Sequence, residues 1–322
     1  MDKNLMHHLD INKISYETNV DLKKKTWIHR GGTCALFISP SNSEQLLCIV
    51  KYMYANNIKF LLLGHTSNIY IRNSSNVSIV VSTKKCSKYE LKNDTIVCEP
   101  GAGVIRMAKD MIQQGVAGFE YLTGLPGTVG AAIYNNSSCK SNSISQLLVS
   151  AEVLLEDGQL ITMTPEDMQF RFRTSIFKDG KLRGVITKAI LKVEYGDAAK
   201  LQEIAKNNDE ERSRILAGYT QNLGCTVNRC FINGSMPFFY RFLTRIYAGS
   251  LRLMRVSSVK KMKKQKDFLC NISGYKTVAS YISDVNPIIF IWKDEEADKV
   301  FPLYLEFMAK IYKTDKVEIE II

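Results

Sequence analysis

The chain has 322 residues, 45% of them hydrophobic and 23% charged. That supplies one large core or two or three modest ones, and it excludes global disorder. The absence of eighteen uninterrupted apolar residues excludes a membrane span, and the polar opening MDKNLMHHLD lacks a secretory pattern, so a cytoplasmic address is expected. The formal net charge is +11, much of it between Arg241 and Lys266. A basic excess points to nucleic acid, anionic lipid or a phosphorylated small molecule. No helix-turn-helix spacing, zinc finger or aromatic RNA-binding pattern accompanies it, so no nucleic-acid partner is expected. The eight cysteines form no CxxC pair and no His cluster joins them. Reduced thiols are expected, with neither a metal site nor a disulfide framework.

In chain order, Ser41-Asn42-Ser43-Glu44 reads as a capping box with Ser41 as N-cap. Leu46, Ile49, Val50 and Met53 follow at helical spacing, and the helix should stop near Asn56-Asn57. Residues 60–63 form an apolar run that reads as a buried strand. It ends at the polar loop 64–68, after which Ile69-Tyr70-Ile71 resumes a strand. Ile96 to Glu99 predicts a strand and Gly101 to Gly103 a tight connection. A helix over Val104 to Gln114 should place Gly115 just past its end. Residues 124–132 are the densest small-residue segment. Strands are predicted over 149–155, 159–163 and 184–193, with Asp157-Gly158 as a hairpin turn. A polar helix over 198–215 then leads to a C-terminal unit. That unit has a basic amphipathic helix over 238–254, a strand over 288–292, a helix over 297–312 and a closing strand over 317–322. The alternation of elements indicates an α+β fold.

Two loops have the composition to hold a diphosphate. Gly64, His65, Thr66, Ser67 and Asn68 offer consecutive amides and small polar side chains. Gly124, Pro126, Gly127, Thr128 and Gly130 offer glycines that permit close backbone approach around a shape-fixing proline. Neither fits GxGxxG or GxxxxGK[ST], so the Rossmann and P-loop patterns are excluded. Taken singly, each loop reads more readily as an ordinary turn than as a binding loop.

Together they carry a resemblance. Gly64-His65-Thr66-Ser67-Asn68 resembles the Gly-x-Gly-Ser-Asn loop of FAD enzymes with a flavin domain of the vanillyl-alcohol-oxidase (PCMH) type, with Thr66 at the second Gly. Residues 118–136, running from Gly118-Phe119-Glu120 to Tyr134-Asn135-Asn136, resemble the matching stretch of the UDP-N-acetylenolpyruvoylglucosamine reductase family. Thr26-Trp27-Ile28-His29-Arg30-Gly31-Gly32 is similar to that family's opening segment, and residues 170–178 are similar to its Phe-x-Tyr-Arg-x-Ser-x-Phe motif. The resemblance implies two FAD-binding subdomains, 15–82 and 83–197, and a divergent substrate-binding domain, 205–322. It implies non-covalent FAD held by the two loops and Asn136, NADPH as reductant, and a nucleotide-sugar substrate.

The family's reaction adds hydride to an enolpyruvyl ether, so negative charge develops towards the substrate carboxylate and a proton must reach the neighbouring carbon. Arg173 matches the family's catalytic arginine, whose planar fork suits a carboxylate. Without the motif it would read as a surface arginine on a strand edge. Glu320 matches the second Glu of the C-terminal strand motif, where it would hold the arginine or relay the proton. By alternation Glu318 and Glu320 would equally be a solvent face. An ungapped reading puts Cys230 at the proton donor's position, while counting back from Phe231 puts Arg229 there. A thiol can donate a proton; a guanidinium essentially cannot. Cys230 also reads as a small buried hydrophobe. The family's Asn-Ala-Gly-Ala-Tyr-Gly is reduced here to Asn136 alone. Phe239, Phe242, Ile246, Leu251 and Met254 form a stripe flanked by arginines. It is expected to dock inward, with weak membrane-surface contact through the basic helix 238–266 as the lesser reading. Two alternatives to the family's reaction stay open. One is a flavin oxidoreductase for a different nucleotide sugar or a small alcohol; the other is a flavin-binding protein without catalysis.

Overall fold

A computed structural model describes residues 3–215, 221–227, 236–314 and 316–322. The chain opens with α1 (Lys3–Ile11), β1 (Ser15–Asp21), β2 (Thr33–Ser39), α2 (Ser43–Ala55), β3 (Leu61–Leu63), β4 (Ile69–Tyr70) and β5 (Asn76–Ser82). Next come β6 (Tyr89–Lys92), β7 (Thr95–Cys98), α3 (Val104–Gln113), α4 (Val129–Asn135), β8 (Ser138–Cys139) and β9 (Asn142–Ser143). The strands β10 (Leu148–Leu155), β11 (Leu160–Met163) and β12 (Gly184–Lys192) lead into α5 (Ala198–Ile215). The last elements are α6 (Phe238–Leu253), α7 (Ser258–Ile272), α8 (Ala297–Tyr312) and β13 (Glu320–Ile321).

The chain divides into two compact units. The first comprises the chain up to Leu22, Gly32–Thr66 and Ser75–Asp209; the second comprises Lys23–Gly31, Ser67–Ser74 and Glu210–Ile322. Segments 23–31 and 67–74, expected within the first subdomain, thus cluster with the C-terminal residues.

The first unit holds two sheets. One is mixed, in the order β1-β2-β5-β3, with β1 antiparallel to β2 and the other neighbours parallel. The other is antiparallel, in the order β11-β10-β12-β7-β6. Leu46, Ile49, Val50 and Met53, the predicted apolar face of α2, pack with Leu36 and Ile38 of β2 and with Leu154 and Val185 of the second sheet. The apolar faces of α3 and α4 pack on the second sheet through Met107, Ala108, Met111, Val129 and Ile133. Burying such faces is what holds helices of this length in place. The cap of α2 lies one residue later than predicted. Asn42 is the N-cap, its side chain accepting from the Gln45 amide, while Ser41 bonds the Gln45 side chain instead. Glu99, distant in sequence, takes the Ser43 amide at 2.9 Å, so a tertiary partner satisfies one of the first-turn donors that have no partner within the helix.

The second unit is built on an aromatic core. Tyr70, Phe290, Trp292 and Phe301 lie with ring centroids 4.8–5.3 Å apart, and α8 buries one face against them. Arg30 is buried here, bonded to the Asp294 carbonyl and paired with Glu295 and Asp298. The predicted strand 288–292 is absent. Phe290 and Ile291 each make one isolated bridge, to Ile282 and Asn222. Ile288, Ile289, Phe290 and Trp292 are all buried, so the stretch has no solvent face and meets two short partners rather than one long one. The closing strand is also shorter than expected: only Glu320 and Ile321 pair in a ladder, because β4 offers two residues. The basic stretch 238–266 is two helices, not one. Arg255 takes φ +51°, and the Val256 and Arg255 amides bond the Leu251 and Arg252 carbonyls, closing α6 with a left-handed stop. The apolar stripe on α6 corrects a further expectation. Phe239, Phe242, Ile246 and Met254 are exposed and only Leu251 is buried.

Candidate active site

Three loops of the first unit are knitted together by their backbones. Gly64 follows β3, and a Cβ there would come 2.5 Å from Thr128 Oγ1. The His65 ring bonds the Gly127 backbone. The connection 100–103, predicted only as a tight turn, completes the set: Val104 N–H donates to Gly127 O (3.1 Å), Val129 N–H to Ala102 O (2.9 Å) and Gly130 N–H to Pro100 O (2.8 Å). Gly127 takes φ +132°, a conformation open essentially to glycine. At Gly101 a Cβ would sit 1.8 Å from the Thr83 carbonyl. Sequence spacing carried no sign that residues 100–103 belong with the other two loops; only their small size hinted at it.

Several polar groups in this cluster are held at a cost. Thr66 adopts φ +61°, a left-handed conformation that a β-branched side chain resists; its hydroxyl donates to the His65 carbonyl at 2.7 Å. Burial pushes the His65 imidazole below its ordinary range, and Lys84 adds to the effect against the bond to Gly127. Thr128 is the N-cap residue of α4 yet its side chain makes no cap bond, and Oγ1 is buried without a hydrogen-bond partner. Buried hydroxyls are rarely left so. An oxygen-rich ligand against Gly64 and Thr128 would satisfy it, so the residues present fit a bound diphosphate cofactor.

The same helix carries the arginine turn. Asn136 ends α4 in a left-handed conformation, φ +42°, and its Nδ2 donates to the Arg171 carbonyl at 2.9 Å. Arg171 and Thr174 exchange both backbone hydrogen bonds, 3.1 Å each, closing a tight turn with Phe172 and Arg173 at its tip. Arg173 sits there at φ +54°, partly exposed, with its Nε buried. Ser175 Oγ donates to the Tyr134 carbonyl (2.6 Å) and Lys178 Nζ to Asn135 Oδ1 (2.7 Å). Residues 134–136 therefore clamp 171–178, and α4 spans from the loop cluster at Thr128 to the arginine turn at Asn136. The side chain of Asn136, expected on the cofactor, gives its Nδ2 to the turn, while its Oδ1 is buried without a partner.

In the second unit, Ser67 and Asn68 lead into β4, and β13 pairs with it in parallel. The Glu320 amide donates to the Asn68 carbonyl (2.9 Å), and the Asn68 side chain reaches the Glu318 carbonyl (3.4 Å). Glu318 and Glu320 are both half-buried and Ile319 is buried, so this is not the open solvent face that alternation allowed. Cys230 and Arg229 lie outside the described residues. Among the described residues no group of three or more His, Cys, Asp or Glu could hold a metal ion, and no helix is long and apolar enough to cross a membrane.

An FAD binding domain family profile matches residues 34–164, which contain all three loops. The UDP-N-acetylenolpyruvoylglucosamine reductase of Clostridium tetani is 26% identical over 269 residues, 83% of this chain and 84% of that one. The corresponding reductase 2 of Bacillus cereus is 32% identical over 175 residues, 54% of this chain and 57% of its own. The crystal structure of the Thermus caldophilus enzyme superposes with a TM-score of 0.67 at 19% identity, covering 96% of this chain and 99% of the other, a likeness of fold. Motif order, loop geometry and the reach of the alignment agree: over most of its length the chain is similar to UDP-N-acetylenolpyruvoylglucosamine reductases, and residues 34–164 match an FAD binding domain.

Proposed function

We propose that this protein is an FAD-dependent reductase that uses NADPH to convert enolpyruvyl UDP-N-acetylglucosamine to UDP-N-acetylmuramate, a cell-wall precursor, in the cytoplasm. The observation that carries this reading is the helix α4, which joins the loop cluster at Thr128 to the Arg173 turn at Asn136. We assign 15–82 and 83–197 to the flavin-binding body and 205–322 to the substrate domain.

FAD, held by the loop residues named below, would supply hydride-transfer chemistry between NADPH and the enolpyruvyl ether. The chain's residues do the rest. Gly64, His65, Thr66, Ser67 and Asn68 together with Gly124, Pro126, Gly127, Thr128 and Gly130 hold the cofactor, the Thr128 hydroxyl donating to an oxygen of the diphosphate. Asn136 fixes the turn. Arg173 meets the substrate carboxylate and stabilises charge as it develops there, an interaction stronger in the transition state than in the ground state. Glu320 holds or relays a proton, and Cys230 is the candidate donor to the carbon next to the carboxylate.

The test is anaerobic. NADPH should bleach the bound flavin, and the enolpyruvyl nucleotide sugar should restore its colour. Bleaching without recovery on that substrate, but with recovery on another nucleotide sugar or a small alcohol, would reassign the substrate. A colourless protein that takes up no FAD would end the reading.

A further inference from the structure

The outer side of α6 combines features rarely found together on a soluble surface. At 100° per residue, Phe238, Phe242, Ile246 and Leu253 fall along one strip, and they are 73%, 52%, 57% and 86% exposed. The Phe238 and Phe242 rings stack on one another, centroids 5.9 Å apart. Arg241, Arg245 and Arg252 line one edge of the strip. The helix does not need this strip for docking. Its opposite face supplies Tyr240, packed on the core of the second unit, Leu251, which is buried, and Tyr247, stacked on Phe268 of α7 at 4.3 Å.

The hairpin that carries the strip is strongly basic. From Arg241 to Lys266 the chain carries nine basic residues and no acidic one. Lys263 and Lys266 reach Asp284 at 3.4 and 2.6 Å. Among the described residues, the three arginines with Lys260, Lys261 and Lys264 make no ion pair.

We infer that the α6–α7 hairpin is a peripheral membrane-binding element, which lays the phenylalanine–leucine strip into the interface of an anionic bilayer with the arginines and lysines on lipid phosphates. A bilayer interface offers apolar depth and negative charge in the same place. A small anion would engage the arginines and leave the aromatic strip in water. A second copy would bring an all-basic surface against itself. The helix has 16 residues, about 24 Å at 1.5 Å per residue, and both its charged edge and its docked face rule out spanning; it lies flat.

The flavin-loaded full chain should be floated with vesicles of phosphatidylcholine containing about a third phosphatidylglycerol, and with vesicles of phosphatidylcholine alone. Binding should be at least about tenfold tighter to the anionic vesicles and should fall in high salt. Phe242→Asp combined with Leu253→Asp should cost roughly a hundredfold in partitioning. The triple change Arg241→Gln, Arg245→Gln, Arg252→Gln should cost a similar factor at low salt. A tryptophan replacing Phe238 should shift its emission to the blue on anionic vesicles only. Flavin content and visible spectrum should be unchanged in every variant, which separates failure of this inference from failure of the flavin reading. Equal binding to both vesicle types, or no binding to either, would overturn it. So would self-association abolished by Phe242→Asp, which would make the strip an interface between copies, or capture of a soluble acidic protein with no lipid binding.

Discussion

Asn136→Ala tests the link between the loop cluster and the arginine turn. The change removes the 2.9 Å bond from Nδ2 to the Arg171 carbonyl, about 1 kcal/mol. It also leaves a Cβ-bearing residue without local polar compensation at φ +42°, another ~1 kcal/mol. The total is about 2 kcal/mol of stability, read by denaturant unfolding of the flavin-loaded protein. Asn136→Gly keeps the backbone conformation and should lose only the first part, so the gap between the two variants measures the left-handed strain. The functional effect should be selective. A loosened turn displaces Arg173, and a shift of about 1 Å in a positioned group can cost up to a hundredfold in rate. Stopped flow should therefore show normal bleaching by NADPH and slow re-oxidation by the enolpyruvyl substrate. Equal slowing of both half-reactions would refute the positioning role, as would Gly and Ala variants of equal stability.

Arg173→Ala should leave flavin binding and reduction intact while slowing re-oxidation about a hundredfold, or ~3 kcal/mol; unchanged turnover in that variant removes the arginine from the reaction. Thr66→Gly should relieve the strain at φ +61° and, after loss of its hydroxyl bond to the His65 carbonyl, raise stability by up to about 1 kcal/mol. A net loss in denaturant unfolding would mean that the threonine's contacts outweigh its conformation. His65 is held below its ordinary range by burial and by Lys84. The unfolded chain thus binds its proton more readily, and the stability His65 contributes is present above about pH 6.5 and lost as the pH falls below it. His65→Gln should flatten the decline between about pH 7 and 5; an unaltered slope would place that decline on other groups.

Local pattern was enough wherever structure is local. The predicted bounds of α5 and α8 coincide with the observed ones, and those of α3 and α6 differ by one residue, because apolar spacing and end signals act within a turn or two of the chain. The two glycine-rich loops stood out as candidates for a related reason: a backbone that must lie close to a diphosphate constrains residue type directly. Order along the chain, with Gly64, Gly127 and Arg173 each inside its motif, then supplied the resemblance.

Partnerships between distant residues were decided only by the tertiary structure. The α2 cap moved to Asn42 while Glu99 took a neighbouring amide. Residues 288–292 lost their strand because Phe290 and Ile291 each met a different one-residue partner, Ile282 and Asn222, rather than one continuous strand. Asn136 turned to the Arg171 carbonyl, 35 residues away, and residues 100–103 joined loops that no motif associates with them. On α6 the periodicity identified an apolar stripe but not which way it faces, since a helix with two apolar sides has one moment and two candidate cores. Packing chose Tyr240, Tyr247 and Leu251 for the inside and left Phe238, Phe242 and Leu253 to the solvent. Periodicity records which side chains share a face; only the neighbouring elements determine whether that face is covered.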